Sequence, residues 1–145
     1  MEILTNIKPS KNWDFKELIK YILTQYYDHD NVTLCISYDN KVCDHYSTYD
    51  VKIDALLDKI KDHTYNLVLR EYSNLKLLIP HEMIHLHQYE IGDLKTNKFE
   101  NKIIYEYKGK EYDSATPYED RPWEKEAHDL DNKLYKKYKK YVKMA

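Results

Sequence analysis

One segment limits the folding options of this chain more than any other. From Leu75 to Glu90 the sequence reads LKLLIPHEMIHLHQYE, and its apolar residues recur at helical spacing. His81-Glu82-Met83-Ile84-His85 stands in its middle. Four residues make about one helical turn, so on a helix His81 and His85 point the same way. Met83 and Ile84 turn to the other side. The fold must therefore bury one flank of this helix and bring a second element up to the paired imidazoles. Pro80 is expected to start or kink the helix, and Gly92 to stop it.

The rest of the chain must be built around that helix from 145 residues, a length that suits one domain over 1–145 with a real core. Hydrophobic residues make up 42% and charged residues 33%, the balance of a soluble globular chain rather than a disordered one. No apolar run approaches the roughly 18 residues of a membrane span. The start, MEILTNIKPSKNWD, lacks the basic-then-apolar pattern of a secretory leader. A cytoplasmic location is expected, or a host cytoplasm or virion where a phage encodes the chain. Cys35 and Cys43 are too few for a disulfide framework and match no zinc knuckle. With only two glycines, the chain carries neither G-x-G-x-x-G nor a P-loop, which argues against phosphate-cradling loops.

Periodicity supplies the other elements. Phe15, Leu18, Ile19, Ile22 and Leu23 form a helical stripe over Trp13 to Tyr27, and Asp14 with Glu17 resembles a capping box. Val32, Leu34 and Ile36 alternate as in a strand. Asp39-Asn40 reads as a turn into a second strand, Lys41 to Tyr46, which would set Cys35 opposite Asp44. Ile53, Leu56, Leu57 and Ile60 suggest another amphipathic helix, and Tyr65 to Glu71 a buried strand. Asp93 to Asn101 is polar and reads as a loop. Ile103 to Tyr107, Gly109 and Glu111-Tyr112 suggest a hairpin. The acidic run Tyr112–Asp120 is expected to be a mobile loop over a cleft. Trp123 to about Val142 is a long helix with Trp123, Ala127, Leu130, Leu134, Tyr138 and Tyr141 near one face. The order implies a mixed α/β or α+β domain, and α+β is the class expected.

The H-E-x-x-H spacing carries the chemistry. Two neutral imidazoles four residues apart on a helix can hold one Zn²⁺. The ion lowers the pKa of a bound water from about 15.7 to about 7, and Glu82 beside it can act as general base and later as acid toward a leaving amine. A catalytic zinc needs a third protein ligand. The metzincin class would place Gly at position 88 and His at position 91. The chain has Gln88 and Ile91, so that class is excluded. A downstream helix offers candidate carboxylates: Arg121-Pro122-Trp123-Glu124-Lys125-Glu126-Ala127-His128-Asp129 opens the last helix. Glu124 and Glu126 flank its apolar stripe on opposite sides, each about 80° away, so periodicity does not choose between them.

HEMIHLHQ followed some forty residues later by RPWEKEA resembles the gluzincin class of zinc metallopeptidases. More closely, it resembles small phage- and bacterium-encoded metallopeptidase domains with an HExxHxxQ helix and a downstream RPxExEA helix. The resemblance covers Leu75 to Leu130. It implies a minimal zincin-like domain: a small mixed sheet packed against the HExxH helix and a C-terminal helix carrying the third ligand. It implies Glu124 as that ligand, because a polar residue four positions on orients a zinc-binding His in such proteins. Here that residue is His128 in place of the usual Asp, whereas Glu126 has Leu130 at that offset. Ala127 is small enough to let the two helices approach closely. The resemblance also implies a strand beside the cleft that pairs with extended substrate. Tyr65–Glu71 is the candidate, with an interior strand as the alternative. A phenol for the oxyanion could come from Tyr105, Tyr107, Tyr112 or Tyr118.

Other features have plainer readings. His87 lies about 160° from His81 and reads as a surface residue. Gln88 either orients a ligand or packs. His29, His45 and His63 suit capping or pairing at element ends. NKLYKKYKKYVKMA is basic and tyrosine-rich, yet Leu134, Tyr138 and Tyr141 continue the buried stripe. The net charge of −2 argues against a dedicated nucleic-acid binder. The expectation is a zinc-dependent peptidase acting on a protein or peptide substrate, with His81, His85 and Glu124 holding Zn²⁺ and Glu82 as base. The alternative is a catalytically silent structural or binding protein of the same shape, for instance in a phage particle.

Overall fold

A computed structural model describes residues 1–9, 13–49, 51–100 and 102–144 and shows an α+β fold with two separate sheets. The first sheet has the order β1-β2-β4-β3. Strands β1 (Glu2–Thr5), β2 (Thr33–Tyr38) and β4 (Thr64–Leu69) run parallel, and β3 (Ala55–Lys61) lies antiparallel on the outside of β4. The register pairs Leu34 with Tyr65 and Ile36 with Leu67, so their buried side chains line one face. Against that face packs α1 (Phe15–Lys20), which continues as a π-helical turn through Tyr26. Its stripe of Phe15, Leu18, Ile19, Ile22 and Leu23 is buried as the pattern predicts, and the Asp14 side chain accepts from the Lys16 N–H as its cap.

Helix α3 (Leu75–Glu90) runs through the centre and is buried from Ile79 to Leu86 without a break. Pro80 does not start it. The helix begins five residues earlier, because proline's fixed φ suits a helix and within the second turn it forfeits a single backbone bond. Gly92, at φ +80°, ends it in the left-handed region. Helix α4 (Pro122–Met144) packs on α3 and buries Ala127, Leu134 and Tyr138 in the same core. The second sheet, β5 (Leu94–Phe99), β6 (Lys102–Tyr107) and β7 (Lys110–Asp113), is antiparallel and closes on Trp123 through Tyr105, Tyr107 and Tyr112. Lys108 and Gly109, at φ +50° and +83°, form the two-residue turn of its second hairpin.

Three expectations are corrected. Asn40–Tyr46 is a helix, α2, and not a strand: the Asp39 carboxylate accepts from the Val42 N–H at 3.0 Å, which opens a helix where a turn was expected. Ala55–Lys61 is a strand and not a helix. Its scattered apolar residues fit either period, and pairing with β4 decides. Leu94–Phe99 is a strand and not a loop, held by its partner β6 despite an exposed, polar sequence. Asn101, the expected end of that loop, lies outside the described residues. Strand β1 was not foreseen at all. Among the described residues no helix is long and apolar enough to cross a membrane.

Candidate metal centre

Helix α3 sets His81 and His85 on one face, and the first turn of α4 brings Glu124 against them. Glu124 Oε1 lies 3.0 Å from His81 Nε2 and 2.6 Å from His85 Nε2, and the two Nε2 atoms are 3.2 Å apart. A four-coordinate ion bonded at about 2.0–2.1 Å has ligand atoms roughly 3.3 Å apart. The three donors thus stand close to the spacing a cation requires, drawn slightly inward. Their chemistry, two imidazole nitrogens and a carboxylate oxygen, could hold a metal ion. Of the two glutamates that periodicity left open, Glu124 stands with the imidazoles, whereas Glu126 lies elsewhere, accepting from Gln88 Nε2 at 3.1 Å and from the Tyr107 hydroxyl at 2.7 Å.

Each imidazole is fixed by its other nitrogen. His81 Nδ1 donates to Asp131 Oδ2 at 3.3 Å, and His85 Nδ1 donates to Gln88 Oε1 at 2.8 Å. The Gln88 amide nitrogen faces two acceptors, the Trp123 carbonyl at 3.0 Å and Glu126 Oε1. That forces its oxygen toward His85. With both Nδ1 atoms bonded to these acceptors, both Nε2 atoms turn to the shared point, where they donate to Glu124 and where, once deprotonated, their lone pairs could bind an ion. Sequence reasoning did not name Asp131. It stands seven residues after Glu124, only about 20° away around the helix, and that spacing was the available signal. His128 also reaches the cluster. Its ring centroid is 4.5 Å from that of His81, its Nε2 bonds the Tyr118 hydroxyl at 2.8 Å, and its Nδ1 is 3.7 Å from Asp131 Oδ2.

The buried charges respond to one another. Burial opposes charge on His85, but the Glu124 carboxylate outweighs it and raises the pKa to about 9. His81 is raised for the same reasons. Burial also opposes charge on Glu124, but hydrogen bonds from both imidazoles hold its carboxyl well below the usual range. Glu82 is 9% exposed, and burial raises its pKa even though the two histidines pull the other way.

The cluster lies in a cleft of about 410 Å³, which Glu82 also lines. One wall is the outer strand β3 with the segment before it, including Ile53 and Leu57; another is Tyr105 and Trp123. The strand beside the cleft is therefore β3, and Tyr65–Glu71 gives the interior strand β4. Of the four candidate phenols, Tyr118 brings its hydroxyl to the cluster, 3.1 Å from Glu124 Oε1. Tyr105 and Tyr112 pack on Trp123, and Tyr107 bonds Glu126. The acidic segment bordering the cleft is held in place: Arg121 donates to the carbonyls of Thr116 and Ser114 at 3.0 and 3.2 Å.

His87 is not a free surface residue. Its ring stacks on Tyr27 at 3.7 Å and its Nδ1 meets His29 Nε2 at 2.8 Å. Burial, with the neighbouring His29, lowers its pKa to about 4. His63 pairs with Glu90 at 2.7 Å. Along the basic tail, Leu134 and Tyr138 are buried and the lysines face outward. No family model matches the chain, and no curated protein or solved structure matches it either.

Proposed function

We propose that the protein is a zinc-dependent metallopeptidase of the gluzincin type, with a minimal zincin-like fold. One observation carries this reading: two histidines of α3 and a glutamate of α4 converge, with ligand atoms all within 4.8 Å of one another, on the floor of a cleft that Glu82 lines. His81, His85 and Glu124 hold Zn²⁺, which when bound polarises a substrate carbonyl and makes water acidic enough to give hydroxide near neutral pH. Asp131 and Gln88 keep the two imidazoles aimed. Glu82 takes the proton of the attacking water and returns it to the leaving amine as the C–N bond breaks. Its burial favours proton retention, which suits both steps. The free edge of β3 supplies main-chain partners for an extended protein or peptide substrate.

The test combines metal content with hydrolysis. Purified without a His-tag, wild type and Glu82→Gln should each retain about one zinc per chain. Wild type should cleave labelled denatured casein, and the variant should be slower by about 10²–10⁴-fold. Undiminished cleavage by Glu82→Gln would remove Glu82 from the mechanism. Stoichiometric zinc without cleavage by either form would favour the alternative, a silent zincin-shaped binding protein.

A further inference from the structure

We propose that Tyr118 is a fourth protein ligand of this centre, closing it in the resting protein. The inference rests on the metal-site reading above. The Tyr118 hydroxyl lies 3.1 Å from Glu124 Oε1, the atom that both imidazoles face. The three donors already assigned are separated by 2.6–3.2 Å, and the phenol oxygen stands at a matching distance from the one they share, Glu124 Oε1. The same oxygen has a second polar partner able to take its proton: His128 Nε2 lies 2.8 Å away.

That partner balances the chemistry. When the phenol oxygen bonds the cation, its O–H bond breaks and the proton passes to His128 Nε2. No electron is transferred. The His128 side chain is half-exposed and passes the proton on to solvent.

The backbone holds the hydroxyl where it is needed. Tyr118 opens the short 3₁₀ turn Tyr118–Asp120, directly before α4. Arg121 pins the preceding segment through the Ser114 and Thr116 carbonyls and lies 5.4 Å over the Tyr105 ring. Tyr118 also lines the cleft, so it approaches from the side that substrate must use. Four protein ligands make a closed site, and catalysis requires an open position. The attacking water and the substrate carbonyl must therefore displace Tyr118, which makes this residue the gate of its own centre.

The experiment is titration of the metal-free protein with Cu²⁺, followed by visible absorption and bound copper per chain. Wild type should take up one copper and develop a phenolate-to-copper charge-transfer band, with tyrosinate modes in its resonance Raman spectrum. Tyr118→Phe should bind one copper without the band. Tyr105→Phe, altered at a phenol that lines the same cleft, should keep it. One copper per wild-type chain with neither band nor tyrosinate modes overturns the proposal and leaves the three-ligand centre standing. A band that persists in Tyr118→Phe also overturns it. Failure of wild type to bind copper overturns the centre and this proposal together.

Discussion

Gln88 links the candidate centre to the rest of the molecule through one amide. Its oxygen holds His85, and its nitrogen reaches the Trp123 carbonyl and Glu126. Glu126 in turn accepts from Tyr107 on the second sheet. The two glutamates of α4, two positions apart, thus have separable jobs. Glu124→Ala should abolish stoichiometric zinc, because it deletes the atom on which both imidazoles converge. Glu126→Ala should keep the zinc. It should lower unfolding stability by about 1–3 kcal/mol, since a buried amide and a phenol lose their shared acceptor. Elemental analysis and urea unfolding of the two variants decide. Zinc lost from Glu126→Ala and kept in Glu124→Ala would move the third ligand.

At the scale of elements, α2 is the sharpest case of local chemistry deciding structure. Asp39 caps it, Cys43 is its one buried residue, and seven residues are too few for helix propensity to sustain. Asp39→Ala should cost about 0.5–2 kcal/mol by urea unfolding, and Asp39→Asn close to nothing. A neutral Asp39→Ala would mean that packing alone holds α2. The same contrast explains what was legible beforehand. Helices α1, α3 and α4 bury long stripes, and β2 and β4 bury alternating residues, so their patterns name them. Strands β3 and β5 lie at sheet edges, where one paired neighbour supplies the order and the side chains stay largely exposed. Nothing in their own residues records that neighbour. The candidate site was legible where its spacing is local, in His81, Glu82 and His85. The resemblance pointed to Glu124. Asp131 and the β3 wall depend on how α4 and the sheet dock, and they went unread.

At the scale of the whole molecule, the centre stands between the two sheets and couples folding to protons and cations together. In the metal-free fold His85 is raised to about 9 by Glu124, against the cost of its burial. The sign follows directly. A raised histidine stabilises the fold fully below its unfolded value of about 6.5, and that contribution is lost as pH climbs through about 9. A cation takes the place of that proton, because only the free Nε2 lone pair binds it. Below about pH 9 each zinc bound must therefore release a proton from His85, and apparent affinity should rise up to tenfold per pH unit. At fixed free zinc above the dissociation constant, tenfold affinity adds about 1.4 kcal/mol to unfolding stability. The stability gap between zinc-loaded and metal-free protein should widen steadily from pH 6 to pH 8. It should remain narrow throughout for Glu124→Ala, which lacks both the raised histidine and the third ligand. Urea midpoints at three pH values, with zinc held constant by a weak chelator, measure this. A gap in wild type that stays constant across the range would mean that the bound ion displaces no proton from His85, and the geometry of the centre would have to be reassigned.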